Sequence, residues 1–141
     1  MESFDNEMRL MFQSKSCNEA LARMTVAAFL TPLNPTLEEL ADTKTAISEA
    51  VTNAIIHGYG ECEGTVELWC ARKGKEVWFH VKDTGSGIAD IKAAMEPMYT
   101  TKPEQERSGM GFSFMEAFMD ELSVESAVGE GTVVKMKKVV G

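Results

Sequence analysis

An aspartate at the end of a predicted strand, Asp83, opens the segment Asp-Thr-Gly-Ser-Gly at residues 83–87. Asp83 shares parity with the apolar residues of that strand, so we predict that its carboxylate points to the buried face of the sheet. A buried carboxylate must be satisfied by a donor, and the exocyclic amine of a bound base would supply one. Gly85 and Gly87 allow the backbone to turn and to approach such a ligand closely. Taken alone, the segment also fits a common Asp-Gly turn after a strand.

A second segment, Arg-Ser-Gly-Met-Gly-Phe at residues 107–112, opens a strongly apolar predicted helix. Glycines at the start of a helix leave backbone N–H groups exposed, and the helix dipole adds positive potential there. Arg107 adds a fixed cation. Together these features predict a site for phosphate groups, and the plainer interpretation is a flexible hinge with a capping serine.

Two further features carry little weight alone. Glu49 and Asn53 are one helical turn apart and lie nearly opposite an apolar stripe of the same predicted helix, which by default indicates a solvated polar face. Thr132 follows Gly-Glu-Gly at residues 129–131 and shares parity with apolar residues of its strand, so we expect it to point inward. Both features become more informative together with the first two segments, because the four occur in a particular order along the chain.

The hydrophobic pattern predicts the elements that position these residues, in the order β-α-α-β-β-α-β-β. We predict the first strand at 8–12, and a first helix that has Ser16 or Asn18 as its cap and runs to about Leu30. The second helix is predicted at 36–57 with Gly58 as its stop, and the third helix at 109–121. Two hairpins are predicted, one with strands at 65–71 and 76–83 and a turn at 73–75, and a closing one with strands at 122–126 and 132–139. Residues 84–108 form a long connection with a short helix at 90–95. Helices grouped against hairpin-linked strands predict an α+β two-layer sandwich, with a mostly antiparallel or mixed sheet and the helices on one face.

Composition places these elements in one ordinary globular domain. The chain has 141 residues, of which 26% are charged and 44% hydrophobic, and its formal net charge is −8. This acidity disfavours direct binding to nucleic acid, which needs a concentrated basic face. The three cysteines, Cys17, Cys62 and Cys70, lack metal-ligand spacing and indicate buried or incidental thiols in a reducing compartment. The N-terminus has no basic region followed by an apolar run, so we expect a cytoplasmic protein that does not enter a membrane.

The four features, taken in order, resemble the signature of the Bergerat-type ATP site. That signature is an asparagine on a helix, D-x-G-x-G after a strand, R-S-G-x-G before a helix and a late G-T, and it is shared by gyrases, mismatch-repair ATPases, heat-shock chaperones and histidine kinases. Within this superfamily, residues 48–58 and 99–112 are similar to the anti-sigma serine kinases of spore-forming bacteria, and the resemblance covers nearly the whole chain. It implies a single kinase domain of the GHKL type over residues 1–141, with an ATP lid at residues 89–108.

The resemblance also implies residue roles. Asn53 corresponds to the ligand of a Mg²⁺ ion that bridges the nucleotide phosphates, and Glu49 corresponds to the proposed base for the attacking hydroxyl. Asp83 corresponds to the aspartate that recognises adenine, with Thr132 beside it. The remaining positions implied to contact ATP or ADP are His57, Gly85, Gly87, Ile88, Thr100, Thr101, Lys102, Arg107, Ser108, Gly109, Met110, Gly111 and Phe112. For His57, a place near the end of a helix also favours a role as a cap that stabilises the dipole.

The partners implied by the resemblance are proteins. They are an RNA polymerase sigma factor of sporulation, which is held inactive, a small anti-anti-sigma protein with the substrate serine, and a second copy of the chain. Arg23 corresponds to an arginine that contacts a partner, although a solvated helix residue is the plainer interpretation. Independently, Trp69, Trp78 and His80 are predicted on the sheet face opposite the helices. That face is either a dimer surface or is covered by a terminal segment.

Three other functions compete with an anti-sigma kinase of sporulation. A histidine kinase fragment is disfavoured, because 141 residues leave no room for the helices that carry its phospho-accepting histidine. A general-stress anti-sigma kinase differs in its partners and not in its chemistry. A module that sequesters a sigma factor under nucleotide control, without phosphate transfer, is disfavoured because every catalytic position of the resemblance is filled.

Overall fold

Five strands pair into one antiparallel sheet in the computed structural model, which describes residues 3–59, 63–85, 111–127 and 129–141. The strand order is β1-β2-β3-β5-β4, with bounds β1 Asn6–Gln13, β2 Thr65–Lys73, β3 Glu76–Asp83, β4 Glu121–Ala127 and β5 Gly131–Val139. The helices are α1 Asn18–Leu30, α2 Leu37–Asn53 and α3 Gly111–Phe118, and α2 packs between the other two. The α+β prediction is confirmed, and all the strand pairings are antiparallel.

The core lies between the helices and one face of the sheet. Alternate residues of the central strands point into it, because successive side chains of a strand face opposite ways. From α2, Ile47 and Val51 are fully buried in this core. The sheet contributes Val66, Leu68, Cys70, Val77, Phe79, Val81, Val134 and Met136 to the same core.

Helix α2 begins where the sequence predicts it, with Thr36 as the N-cap. The Thr36 hydroxyl accepts a hydrogen bond from the Glu39 backbone N–H at 3.0 Å, and Glu39 Oε1 accepts one from the Thr36 N–H at 2.8 Å. This reciprocal pair is a capping box, which satisfies N–H groups that have no partner inside the helix. The second Glu39 oxygen accepts from the Gly141 N–H at 2.8 Å, so the C-terminal residue is tied to the start of α2.

The predicted cap of α1 is wrong. Cys17 is the N-cap, and within the described residues its side chain makes no capping hydrogen bond to the helix. The Asn18 side chain instead donates to the Gln13 carbonyl at 2.9 Å, at the end of β1. Asn18 therefore links the end of β1 to the start of α1.

The predicted end of the second helix is also wrong. The α-helical pattern stops at Asn53, and a π-helical segment follows over Ala54–Tyr59. Gly58 lies inside that segment and does not end it. A π-helical turn contains an additional residue and is frequent at functional sites, since it redirects the side chains that follow it.

The third helix ends earlier than predicted. The Asp120 N–H donates to the Lys137 carbonyl at 2.9 Å, and the Asp120 carboxylate accepts from the Val139 N–H at 2.6 Å. These bonds dock the chain onto β5, so Glu121 opens β4 instead of closing the helix. Residues 86–110 lie outside the described residues, and with them most of the predicted long connection and the whole of its short helix.

The sheet face opposite the helices carries an aromatic cluster that includes the N-terminal segment. Phe4 packs edge-on against Trp69 and Trp78, with ring centroids 5.6 and 5.4 Å apart. The Trp69 indole also donates to Glu7 Oε1 at 2.9 Å and lies 4.5 Å from the His80 ring. A terminal segment therefore does pack on this face. In the described part of the chain, no helix is both long and apolar enough to cross a bilayer.

Candidate functional site

The Asp83 carboxylate points into the buried face at the end of β3, as its parity predicts. Asp83 is 5% exposed and pairs with Thr132 in the antiparallel ladder between β3 and β5. One oxygen, Oδ1, accepts a hydrogen bond from the Gly85 N–H at 2.9 Å. This bond closes a tight turn in which the aspartate holds the backbone two residues ahead.

Burial raises the pKa of Asp83, and the backbone N–H groups of Gly85 and Thr132 oppose that rise. The rise means that ionisation of this carboxylate costs more here than in water. A ligand that donates a hydrogen bond to the carboxylate would offset part of the cost. The site is therefore suited to an uncharged donor such as an exocyclic amine.

Thr132 is buried beside Asp83, with 7% of its surface exposed. Its hydroxyl lies 2.7 Å from Ser126 Oγ, which donates to the Gly131 carbonyl at 3.0 Å. Either hydroxyl can donate in the contact between Ser126 and Thr132. The Thr132 oxygen remains an acceptor in either case, which adds to the acceptor character of the Asp83 end of the site.

Gly131 allows β5 to approach this turn closely. Its φ of +96° is a conformation that other residues rarely adopt. A Cβ built there would lie 2.6 Å from the Thr84 Cα and would also collide with the Asp83 backbone. Only glycine therefore fits between the start of β5 and the segment that carries Asp83.

Tyr59 is a contact of this turn that the sequence analysis did not assign. Its hydroxyl accepts from the Thr84 N–H at 2.8 Å and donates to the Thr65 carbonyl at 2.6 Å. No local pattern indicates this role, because the partners of Tyr59 lie on two strands that only the fold brings together. The π-helical segment that ends at Tyr59 packs against β3 and β5.

Glu49 and Asn53 lie on α2 and are both half-buried, so they do not form a fully solvated face. Asn53 is the last residue of α2, where the helix changes to its π-helical continuation. The neighbouring Thr52 is buried, and its hydroxyl donates to Glu19 Oε2 of α1 at 2.9 Å. The other Glu19 oxygen pairs with Arg23 at 3.1 Å.

Arg23 therefore lies on the surface at the end of a chain of polar contacts. Its side chain is 43% exposed, whereas the Glu19 side chain beneath it is 15% exposed. Through Glu19 the guanidinium is connected to Thr52, one residue before Asn53. Arg23 is half-buried and paired with Glu19 instead of fully solvated, and its partner contact stays a prediction.

Comparison with known proteins identifies the family of this chain. The profile described as "Histidine kinase-like ATPase domain" matches residues 12–138. The chain belongs to this family. Proteins named anti-sigma F factor from Clostridium kluyveri, Clostridium novyi and Thermoanaerobacter sp. are 57%, 56% and 53% identical to it. The aligned segments cover 96%, 94% and 98% of this chain and 96%, 94% and 96% of those proteins.

Solved structures show the same fold at low sequence identity. The RsbU and RsbW domains of Rv1364c from Mycobacterium tuberculosis superpose with a TM-score of 0.70 and 20% identity over 96% of this chain. Full-length ShkA in complex with AMPPNP superposes with a TM-score of 0.55 and 22% identity over 87% of it. The match spans 32% and 30% of those longer chains, respectively.

In this histidine kinase-like ATPase domain, the other predicted nucleotide contacts fall mostly outside the described residues. Three of these positions, His57, Gly111 and Phe112, lie in described helical backbone, but their side chains are not described. The positions with no description are Gly87, Ile88, Thr100, Thr101, Lys102, Arg107, Ser108, Gly109 and Met110. The structure brings Asp83, Gly85 and Thr132 together, and the phosphate contacts stay predictions.

Asn53 of α2 offers an oxygen ligand of the kind that magnesium takes. Among the described residues, no cluster of three or more His, Cys, Asp and Glu side chains could hold a metal. Magnesium prefers oxygen ligands and keeps several waters, so it needs few protein ligands when phosphates supply the rest. Asn53 is half-buried, and its side-chain amide supplies one such oxygen.

Proposed function

We propose that this protein is an anti-sigma factor that binds a sporulation sigma factor of the sigma-F type and holds it inactive. As an ATP-dependent protein serine kinase, it phosphorylates a serine of its anti-anti-sigma antagonist and thereby inactivates it. The relatives named anti-sigma F factor and the histidine kinase-like ATPase fold support this role. The observation that carries the nucleotide part is the buried Asp83 carboxylate beside the Thr132 hydroxyl.

In this function, Asp83 accepts a hydrogen bond from the amino group of adenine. The Thr132 oxygen is a second acceptor at the same end, and Gly85 keeps the turn narrow through its bond to Asp83. The carboxylate acts in its ionised form. Because burial disfavours the ionised carboxylate, the adenine amino group and the backbone N–H groups of Gly85 and Thr132 together stabilise its charge.

Asn53 would hold a Mg²⁺ ion, which neutralises charge on the phosphates of ATP when it is bound. Glu49, one turn earlier on α2, accepts the proton of the substrate serine hydroxyl as its oxygen attacks the γ-phosphorus. The bond between that phosphorus and the β–γ bridging oxygen breaks, and ADP leaves. Arg107 and the backbone of residues 108–112 stabilise charge on the phosphates, and Thr100, Thr101 and Lys102 close over the nucleotide.

The protein acts on its partners in the cytoplasm, where RNA polymerase is found, and it acts as a homodimer. Arg23 contributes to the partner-binding surface. Its partial exposure on α1 supports this contact, because the Arg23 side chain stays 43% exposed although it is paired with Glu19.

The test is phosphate transfer from radiolabelled Mg-ATP to a purified anti-anti-sigma F protein. We expect Glu49→Ala to lower the rate about 10²–10⁴-fold while ATP binding is largely kept, since a general base acts in the transition state. Asn53→Ala should lower the transfer rate and should also lose the Mg²⁺-dependent part of ATP binding. Glu38→Ala, an exposed acidic residue in the first turn of α2, is the matched control and should behave as wild type.

Two outcomes would change the proposal. If ATP binds and the sigma factor is captured but no phosphoserine forms, the protein is a nucleotide-gated sequestering module and Glu49 is structural. If phosphate passes only to the antagonist of a general-stress sigma factor, the chemistry stands and the partners are different.

A further inference from the structure

The pairing of β2 with β3 stops before β2 itself stops. The last pair of this ladder is Glu67 with Lys82, although β2 continues along β1 as far as Thr65. If the same register continued, Thr65 would lie opposite Thr84. The Tyr59 hydroxyl occupies that position, since it donates to the Thr65 carbonyl and accepts from the Thr84 N–H. A side chain therefore bridges the two strands where the backbone pairing ends.

This bridge acts on the residue directly after Asp83. The Thr84 N–H donates to the Tyr59 hydroxyl at 2.8 Å, and Thr84 Oγ1 lies 3.1 Å from the same hydroxyl. On the opposite side, Gly131 of β5 packs so closely on Thr84 that a Cβ there would collide with it. The backbone after Asp83 is thus clamped between a tyrosine hydroxyl and a glycine.

The position of the Tyr59 ring is itself constrained. A Cβ added to Gly64 would lie 2.5 Å from the Cδ1 and Cζ atoms of that ring, so the ring fills the space that a side chain at position 64 would take. Gly64 is anchored in turn, because its N–H donates to Ser14 Oγ at 3.0 Å. The hydroxyl is therefore placed by packing and not only by its own hydrogen bonds.

We infer that Tyr59 is a positioning residue for base selectivity, which acts by holding the Thr84 backbone so that the Asp83 carboxylate faces the amino group of adenine. This inference rests on the proposed ATP site. Loss of the hydroxyl leaves the Thr65 carbonyl and the Thr84 N–H without their shared partner. The two strands then either pair directly or admit water, and both changes reorient Asp83, which a directional hydrogen bond does not tolerate.

The experiment compares the affinity for ATP with that for purine riboside triphosphate, which lacks the amino group. Both are measured by calorimetry on the full chain, for wild type, Tyr59→Phe and Asp83→Asn. We expect wild type to prefer ATP, and Tyr59→Phe to lose about tenfold of that preference, since a site built for a polar group discriminates through that group. Asp83→Asn should abolish the preference.

Two further variants separate positioning from general loss of structure. Gly64→Ala displaces the ring while it keeps the hydroxyl, and it should lower the ATP preference in the same direction as Tyr59→Phe. Thr84→Val removes a side-chain hydroxyl next to Tyr59 but keeps the backbone N–H, and it should retain the wild-type preference. Thermal unfolding of each variant shows whether a loss of stability accompanies the change.

The results that overturn the inference differ from those that overturn the proposed function. If wild type prefers ATP and Tyr59→Phe keeps the same ratio of affinities, whether or not its melting temperature falls, Tyr59 is only structural. If wild type binds both triphosphates equally, or binds neither, the adenine site is wrong and the inference fails with it.

Discussion

Asp83 and Asn53 stand at two ends of the candidate site that are built in different ways. Asp83 is almost fully buried and is held by backbone groups of its own turn and of β5. Asn53 is half-buried and lies where α2 changes from an α-helix to a π-helical segment. Its surroundings are tied by side chains, through the Thr52 hydroxyl and the Glu19 carboxylate of α1.

The difference indicates that the Asp83 end of the site recognises the base, whereas the Asn53 end positions the phosphates for the chemical step. A buried and backbone-clamped carboxylate is organised before the ligand arrives, so little order has to be gained on binding. A helix end held by side chains from another helix can shift when those side chains find other partners. We therefore expect changes at Asp83 to act on whether nucleotide binds, and changes around Asn53 to act on how its phosphates are held.

The largest effect is expected for Asp83→Asn. The variant replaces the carboxylate acceptor by a group that also donates, and we expect ATP affinity to fall about 100-fold, in the range of one lost hydrogen bond to a charged group. Calorimetric titration with ATP measures it. Asp42→Asn on α2 is the control for loss of one negative charge. A tenfold or smaller effect at Asp83 would mean that the buried carboxylate is not the main determinant of base binding.

The next largest effect is expected at Gly131, and Gly74, which also has a positive φ, serves as its control. Gly131→Ala, at +96°, should destabilise the fold by about 1–3 kcal/mol and should also weaken ATP binding, because its Cβ collides with the backbone of the Asp83 turn. Gly74→Ala, at +59°, meets nothing within 4 Å and should cost about 1 kcal/mol of stability alone. Urea unfolding and ATP titration of both variants measure these effects. Equal ATP affinities would show that the close contact does not shape the site.

A smaller effect is expected at the other end of the site. Thr52→Val keeps the shape of the side chain but removes the donor to Glu19, so the free energy of unfolding should fall by about 1 kcal/mol. The dependence of ATP affinity on Mg²⁺ concentration should shift, whereas affinity without Mg²⁺ should stay near wild type. Thr52→Ser keeps the hydroxyl and serves as the control. If Thr52→Val lowers ATP affinity equally with and without Mg²⁺, the Asp83 and Asn53 ends of the site do not act independently.

The smallest effect is the pH dependence of stability. Burial raises the pKa of Asp83, so between its unfolded and folded pKa the native state binds more protons than the unfolded state. Stability from this group is therefore greatest at low pH and is lost as pH rises through that window. We expect the stability of wild type relative to Asp83→Asn to decrease from pH 4 to pH 7, as measured by denaturant unfolding in parallel. An increase over that range would contradict the sign of the shift.

Several features follow from short stretches of sequence because their causes are local. Strand parity places Asp83 and Thr132 on the buried face, and both are found there. The start of α2 is set by Thr36 and Glu39, which satisfy each other's backbone within four residues. The prediction for the end of the same helix is wrong, because the change to a π-helical segment has no marker comparable to a cap.

The sequence by itself thus determined the α+β fold, the buried aspartate and the order of the motifs, since hydrophobic period and capping act over a few residues. Only the tertiary structure decided that Tyr59 bridges Thr65 and Thr84, that Glu19 holds Thr52, and that Phe4 packs on the outer face of the sheet. These contacts join residues far apart in the chain. Their geometry depends on how helices and strands pack together, and no local pattern encodes it.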